Sequence, residues 1–125
     1  TNMLRSLGII TRRVRNVMLC GGGRVSYYLA DMLNRHGISV KLMEKNETRC
    51  RELSALLPEV TVILGDGTDH AVLDSEGLAK TDALVSLTGM DELNMIMSLY
   101  GQSQGVPQVI TKLGRMENHT IIERW

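Results

Sequence analysis

The architecture of this chain follows from one segment, Val17-Met18-Leu19-Cys20-Gly21-Gly22-Gly23-Arg24-Val25-Ser26-Tyr27-Tyr28-Leu29-Ala30. Its apolar start predicts a buried strand, the glycines a tight turn, and the apolar spacing after them a helix. A strand that runs through glycines into a helix presents free backbone N–H groups, which bind an anion and most often a pyrophosphate. The match to G-x-G-x-x-G is incomplete, because Ser26 stands where the third glycine is expected.

The composition is typical of one globular domain. The chain has 125 residues, of which 43% are apolar and 22% charged, and a chain of this length builds one core. Its 14 basic and 14 acidic residues balance, so we expect no net field that attracts nucleic acid or an anionic membrane. No apolar run approaches the roughly 20 residues of a membrane span.

Two cysteines, Cys20 and Cys50, are too few for a disulfide framework. We expect both to be reduced thiols, with Cys20 packed at the end of the first strand. A redox role would require the two to lie within disulfide reach.

Strands and helices alternate along the chain. The predicted strands cover residues 17–20, 39–43, 60–64, 83–87 and 108–112. The predicted helices cover residues 24–35, 47–57, 70–76 and 91–104. Because the strands are continuous apolar runs, both faces of the sheet should be covered. The pattern predicts an α/β fold, a Rossmann-like doubly wound parallel sheet in three layers.

Helical spacing predicts which side chains face the sheet. The inward positions are Val25, Leu29, Met32 and Leu33 in the first helix, and Cys50, Leu53, Leu56 and Leu57 in the second.

The two ends of the chain are less regular than its middle. Residues 1–15 are polar and basic around a short apolar patch, and we interpret them as a linker or an expression remnant. Residues 16–125 are expected to form the domain, as a fragment of a longer protein. Residues 114–125 predict a loop and the start of another helix or strand.

The glycine turn has residues suited to a phosphate. Gly21 allows the sharp bend after the strand, and Gly23, without a Cβ, lets a pyrophosphate approach the backbone. The guanidinium of Arg24 is placed to pair with phosphate oxygens. The alternatives are a merely tight strand–helix turn and a solvated arginine.

Glu44 ends the second strand, about 20 residues after the glycines, where an acid accepts hydrogen bonds from the adenosine ribose. Its charge repels a 2′-phosphate, which favours NAD(H) or an adenine nucleotide over NADP. The neighbouring Lys45 weakens that inference, and an acid with no ligand role remains the alternative.

Two further turns follow the third and fourth strands. Asp66 and Gly67 are placed to line the adenine end of a cleft, although Asp66 is equally suited to cap the next helix. Thr88 and Gly89 follow the fourth strand, at the same carboxyl edge where open α/β sheets bind ligands.

The sequence has few candidates for catalysis. His36, His70 and His119 are the obvious acid/base groups, and surface or capping roles account for each of them. No residues have metal-ligand spacing, and no nucleophile–base pair is evident.

Four motifs together resemble an RCK (KTN) domain of the TrkA N-terminal type. They are VMLCGGGRV at 17–25, VKLME at 40–44, LGDGTD at 64–69 and LTGMDELN at 87–94. The resemblance is greatest to the second such domain of the peripheral subunits of Trk potassium uptake, and it covers about residues 13–123.

The resemblance implies a regulatory, non-catalytic domain at the cytoplasmic face of a potassium channel or transporter. It also implies binding of NAD(H), or alternatively of AMP, ADP or ATP, and assembly into homodimers or larger rings. Glycines and Arg24 would hold phosphates, Glu44 the ribose, and Thr88 the distal part of the ligand, with Asn94 nearer the core or an assembly interface. The candidate cofactor-binding residues are Gly21, Gly23, Arg24, Val25, Glu44, Lys45, Asp66, Gly67, Thr88 and Gly89. The rival hypotheses are the cofactor half of an NAD-dependent oxidoreductase and an interaction domain whose cleft has lost its ligand.

Overall fold

A computed structural model describes residues 14–114 and 120–124. The strands are β1 (Asn16–Cys20), β2 (Ser39–Glu44), β3 (Thr61–Leu64), β4 (Ala83–Ser86), β5 (Gln108–Leu113) and β6 (Thr120–Arg124). The helices are α1 (Arg24–Arg35), α2 (Glu47–Leu56), α3 (His70–Ser75) and α4 (Asp91–Ser103), with a 3-10 turn at Leu78–Lys80. The predicted elements are thus confirmed to within about two residues at each end.

The strands form one sheet in the order β3-β2-β1-β4-β5-β6. Strands β1 to β5 are parallel, and Leu19 in the centre of β1 lies opposite Leu42 of β2 and Val85 of β4. The order reverses between β1 and β4, which is the switch point where doubly wound sheets bind their ligands. The predicted Rossmann-like architecture is confirmed.

Alternate residues of the central strand enter two different cores. Val17 and Leu19 pack with α1 and α2 on one face, while Met18 and Cys20 pack with α3 and α4 on the other. Because side chains alternate across a strand, a strand covered on both faces must be apolar throughout. This is why the strands of the sequence are continuous apolar runs.

One predicted inward position of α1, that of Val25, is wrong. Val25 is 40% exposed, whereas the neighbouring Ser26 is buried at 1% exposure. One turn before Leu29, the helix comes close to the sheet at the place of the third motif glycine, and the small Ser26 occupies that position.

The inward face of α2 also differs from the prediction at one position. Leu56 is 56% exposed, while Leu53 and Leu57 are buried. Leu57 lies one helical turn beyond Leu53, so it continues the buried stripe and Leu56 points to the side.

Both ends of the described segment add to the predicted fold. Val14 is buried against the face covered by α1 and α2, and the Arg15 N–H donates to Asp82 Oδ2 (2.8 Å). At the other end, β6 pairs antiparallel with β5, an element that the sequence left open between helix and strand. Residues 1–13 of the expected linker lie outside the described residues.

Cys20 and Cys50 are buried, free thiols, as predicted. Cys20 packs on the α3/α4 face, whereas Cys50 belongs to α2 on the opposite face and its thiol donates to the Glu44 carbonyl (3.2 Å). Burial raises the pKa of both thiols, and Glu44 and Glu47 raise that of Cys50 further. The sheet therefore separates two unreactive thiols.

None of the described helices combines the length and the apolar composition that crossing a bilayer requires.

Candidate functional site

A cleft of about 220 Å³ opens at the carboxyl ends of β1 to β4, where the strand order reverses. Its walls are the glycine turn (Gly21–Gly23), residues 44–45 at the end of β2, residues 65–68 after β3, and the Thr88 turn (Leu87–Met90) after β4. Leu93 and Met97 of α4 complete it. Four strand ends therefore contribute to one site, as expected for a doubly wound sheet.

Gly21 and Gly23 occupy the glycine turn for different structural reasons. Gly21 has a φ of +110°, and a Cβ there would lie 2.9 Å from the backbone of Leu87 and Thr88. Gly23 has ordinary backbone angles and nothing within 4 Å of the Cβ position. Gly21 is thus needed for the fold, whereas Gly23 leaves open space for a ligand.

The N-terminus of α1 lies at the cleft without a side-chain cap. Its N-cap is Gly23, and no side chain of the described residues caps it and no acid lies in its first turn. By contrast, Asn46 Oδ1 caps α2 by accepting from Arg49 N, and Asp69 caps α3. The first N–H groups of a helix need partners and attract negative charge, so this end of α1 suits an anion.

The carboxylate of Glu44 is tied to the glycine turn. The Gly22 N–H donates to Glu44 Oε1 (2.7 Å), and the Asn46 N–H donates to Glu44 Oε2 (2.6 Å). A Cβ on Gly22 would lie 2.8 Å from Glu44 Oε1, so a larger residue there would displace the Glu44 carboxylate from this position. A carboxylate has about four acceptor sites, which leaves Glu44 capacity for ribose hydroxyls in addition to these two bonds.

Asp66 is held as an anion at the cleft margin. It accepts hydrogen bonds from the backbone N–H (2.9 Å) and the hydroxyl (2.7 Å) of Thr68. These two bonds, with a smaller contribution from the charge of Lys45, hold the pKa of Asp66 below its ordinary value. Asp66 is exposed and can accept from a ligand.

The Thr88 turn is satisfied by one buried side chain, Asn94. Asn94 Oδ1 accepts from the backbone N–H (2.9 Å) and the hydroxyl (2.6 Å) of Thr88, while its Nδ2 donates to the carbonyls of Thr88 (3.0 Å) and Lys112 (2.9 Å). The Thr88 hydroxyl has therefore already donated its proton. This wall of the cleft is preformed and offers shape and backbone groups.

The floor of the cleft is apolar and rich in sulfur. A Cβ on Gly67 would lie 2.5 Å from Met97 Sδ and 3.3 Å from Cys20 Sγ, so a larger residue there would require the Met97 side chain to move. Burial raises the pKa of Cys20 to about 12, which keeps the thiol neutral. Met43 adds a third sulfur-bearing side chain to the lining, and such a surface suits the face of a base better than a charged group.

All the candidate residues named from the sequence line the cleft except Arg24 and Val25. Those two are exposed on the first turn of α1, next to the glycine turn. Gly22 and Met97 also line the cleft, although they were not predicted as site residues. Arg49 was not predicted either, and its Nε donates to the Gly22 carbonyl (2.5 Å). The signal for Arg49 was available, because a residue three positions after the N-cap Asn46 lies on the first turn of its helix.

The described histidines lie away from the cleft lining. His36 follows α1, and its Nδ1 is 2.8 Å from the Met32 carbonyl oxygen. The His70 ring stacks on Tyr100 with a centroid distance of 3.7 Å. His119 lies outside the described residues. Among the described residues, no three His, Cys, Asp or Glu side chains cluster as metal ligands would.

Comparison with known proteins identifies close relatives by sequence. The Trk system potassium uptake protein TrkA homolog of Archaeoglobus fulgidus is 35% identical over 109 residues, which cover 87% of this chain and 25% of that protein. TrkA of Halomonas elongata is 32% identical over 109 residues (87% and 24%), and the Methanothermobacter thermautotrophicus homolog is 31% identical over 108 residues (86% and 50%). The chain thus spans from about a quarter to half of the length of these relatives.

Solved structures support the fold. The TrkA-N domain of the inner membrane protein ybaL from Escherichia coli has a TM-score of 0.58 at 20% identity, covering 78% of this chain and 87% of that one. The NAD(P)-binding domain of an exopolyphosphatase-related protein from Archaeoglobus fulgidus has a TM-score of 0.65 at 18% identity, covering 78% and 71%. The model of the TrkA-N domain matches residues 17–125. With this match over most of its length, the chain belongs to the TrkA-N domain family.

Proposed function

We propose that this chain is the regulatory, non-catalytic nucleotide-binding domain of a potassium transport system. It binds NAD(H), or alternatively AMP, ADP or ATP, in the cleft at the switch point. Binding gates a membrane potassium channel or transporter, at whose cytoplasmic face the domain assembles with copies of itself.

The observation that carries the binding proposal is the uncapped N-terminus of α1 opening into the cleft. Its free N–H groups suit the phosphate, and Arg24 stands beside them on the first turn. Glu44 lies at the next strand end with acceptor capacity for the ribose, and Asp66 and Gly67 lie at the third for the adenine end. The sulfur-rich floor gives the base an apolar surface.

The size of the cleft bears on the choice of nucleotide. Its volume of about 220 Å³ is smaller than the roughly 300–1,000 Å³ of typical small-molecule sites. A space of this size suits an adenine mononucleotide, and the second half of a dinucleotide would have to extend beyond it. The anionic Glu44 disfavours a 2′-phosphate and therefore NADP.

The transport role is supported by the relatives, which are named as Trk potassium uptake proteins. Gating of this kind depends on thermodynamic linkage. A nucleotide shifts the equilibrium between two conformations of the assembly only by the difference in its affinity for them. A ligand that touches both the glycine turn and the Thr88 turn contacts two segments that precede helices on opposite faces of the sheet, and it can supply that difference.

The titratable groups that line the cleft argue for a binding role. They are Cys20, Glu44, Lys45 and Asp66. The pKa of Cys20 is raised to about 12 and that of Asp66 is lowered, so neither is tuned for proton transfer near neutral pH. Substrate-dependent oxidation of NADH across a panel of carbonyl compounds would instead support the oxidoreductase hypothesis.

Calorimetry of the purified chain with NAD, NADH, NADP, AMP, ADP and ATP tests the proposed ligand class. We expect binding of at least one adenine ligand and weaker binding of NADP than of NAD. Glu44→Ala should weaken the bound ligand by ~1–3 kcal/mol, the cost of stranding hydrogen-bonding groups. Glu47→Ala, at an exposed position on the first turn of α2, is the matched control. Absence of binding for all six would support an interaction domain with a degenerate cleft.

Rubidium uptake by cells that encode this chain tests the transport role. A Gly23→Asp substitution, which places a carboxylate at the phosphate position, should change the rate of uptake at limiting external potassium. An uptake rate equal to that of the unaltered strain, for a variant that no longer binds nucleotide, would contradict the gating proposal.

A further inference from the structure

Four residues around the glycine turn form a closed ring of hydrogen bonds. Gly22 N–H donates to Glu44 Oε1, and the Gly22 carbonyl accepts from Arg49 Nε (2.5 Å). Arg49 N–H donates to Asn46 Oδ1 (2.9 Å), and Asn46 N–H returns to Glu44 Oε2 (2.6 Å). The ring holds Gly22 between a carboxylate on its N–H and a guanidinium on its carbonyl.

The ring fixes the orientation of the next backbone donor. In a trans peptide, the carbonyl of Gly22 and the N–H of Gly23 point in opposite directions. Because Arg49 holds the carbonyl toward α2, the Gly23 N–H points away from α2, and Gly23 lines the cleft with open space around it. A carbonyl bonded to a cation also polarises its own peptide unit, which makes that N–H a stronger donor.

We propose that Arg49 is a positioning residue, which aims and strengthens the Gly23 N–H as a donor to the phosphate of the bound nucleotide. This inference rests on the proposed nucleotide binding, and it assigns Arg49 a role through Gly22 with no contact to the ligand. The side chain of Arg49 is 31% exposed and also pairs with Glu52 (3.5 Å), so part of it is fixed by its own helix.

The first test needs no nucleotide. The ¹⁵N and ¹H chemical shifts of the Gly23 amide are recorded for the ligand-free chain and for Arg49→Met. Loss of the bond to the Gly22 carbonyl should shift the Gly23 amide upfield. Arg51→Met is the matched control, since Arg51 lies on the same helix and pairs with Glu47 at the surface (3.2 Å, 67% exposed). An unchanged Gly23 amide in Arg49→Met would overturn the proposal.

The second test separates phosphate binding from general damage. Arg49→Met should weaken AMP about tenfold, close to the lower limit for a hydrogen bond to a charged group, and leave adenosine within about twofold. Equal weakening of both ligands would show a merely structural role and overturn the proposal. The AMP loss should be the same at 0.1 and 0.5 M salt, because a loss that shrinks with salt would indicate direct charge attraction.

Arg49→Lys keeps the positive charge and an N–H that can donate to the Gly22 carbonyl. Compared with Arg49→Met, it should recover part of the AMP affinity and part of the change in the Gly23 chemical shift. If Arg49→Met does not fold, this variant carries the same readouts. If the unaltered chain binds neither AMP nor adenosine, the proposed function fails, while the Gly23 amide still decides whether Arg49 polarises the Gly22–Gly23 peptide.

Discussion

The glycine turn and the Thr88 turn follow adjacent parallel strands and lead into helices, yet the backbone groups of the two turns have different hydrogen-bond partners. The Thr88 turn is satisfied by Asn94, which makes four hydrogen bonds and is fully buried. The glycine turn is held in place by Glu44 and Arg49, and neither α1 nor α4 has a side-chain cap among the described residues. The two turns therefore differ in the bonding of their own backbone groups, and the helix ends that follow them are told apart by charge.

The first turns of the two helices differ in charge in the same direction. Helix α4 begins with Asp91 and Glu92, whereas α1 has no acid in its first turn. Acids near a helix N-terminus neutralise its partial positive charge. We therefore expect an anion in the cleft to be drawn more strongly to α1 than to α4.

The largest expected effect comes from removing the internal partner of the Thr88 turn. Asn94→Leu removes this partner from the Thr88 N–H and from the carbonyls of Thr88 and Lys112, which are partly buried. At about 1–3 kcal/mol for each unsatisfied group, we expect a loss of roughly 3–5 kcal/mol in the free energy of unfolding. Urea denaturation measures it.

Leu99→Ala provides the control for this substitution, since Leu99 is 58% exposed on the same helix. It should change the free energy of unfolding by no more than about 0.5 kcal/mol. A loss in Asn94→Leu as small as that of the control would mean that the Thr88 turn does not depend on its internal hydrogen bonds.

The next effect concerns the contact between the two turns. Gly21→Ala places a Cβ at a φ of +110° and 2.9 Å from the backbone of Leu87 and Thr88. Strain and overpacking each cost about 1–3 kcal/mol, so we expect a loss of roughly 2–4 kcal/mol in the free energy of unfolding.

Gly89→Ala is the matched glycine in the other turn, with nothing within 4 Å of its Cβ position. Thermal unfolding of the two variants compares them directly, and Gly89→Ala should leave the melting temperature almost unchanged. Equal losses would show that the strain is not specific to the β1–β4 switch point.

The elements and the cleft were predictable because they depend on local patterns. Continuous apolar runs gave the strands, and turns of Gly and Asp at their ends gave most of the cleft lining. The burial of Ser26 in place of Val25 was not predictable, since it depends on how closely α1 approaches the sheet. Helical spacing permits either residue one turn before Leu29, and only the packed structure decides between them.

The hydrogen-bond ring around Gly22 was not predictable from the sequence for a different reason. Glu44 was recognised as an acid at a strand end, but its bonds to Gly22 and Asn46 join residues brought together by tertiary packing. Arg49 belongs to a helix that sequence analysis treated only as cover for the sheet. Likewise, Asn94 connects Thr88 to Lys112 of β5, a pairing that no local pattern encodes.

A third prediction reverses the difference between the two helix ends. Gly23→Asp supplies α1 with the carboxylate cap that it lacks, so the free energy of unfolding should rise by a few tenths of a kcal/mol. The same carboxylate occupies the free N–H groups and repels phosphate, so AMP should bind at least about tenfold more weakly, or ~1.4 kcal/mol. Calorimetry and thermal unfolding measure the two opposite effects.

Met90→Asp makes the equivalent change at the N-cap of α4. Because Asp91 and Glu92 already neutralise that helix end, the substitution should weaken AMP less than Gly23→Asp does. Stronger inhibition by Met90→Asp would place the phosphate at α4 and contradict the comparison of the two turns.

The smallest expected effect is on pH dependence, at the carboxylate of Asp66 in the turn after β3. The pKa of Asp66 is lowered from its ordinary value of 3.8, first by the bonds from Thr68 and then by Lys45. A carboxylate with a depressed folded-state pKa stabilises the fold at pH above about 4, and this contribution is lost as the pH falls through the folded-state pKa. Asp66→Asn should thus unfold slightly more easily than the unaltered chain at pH 6, and the two should converge below pH 4. Thermal unfolding between pH 6 and 3 measures this, and a difference that widens toward acid would mean that the Thr68 bonds do not favour the charged form of Asp66.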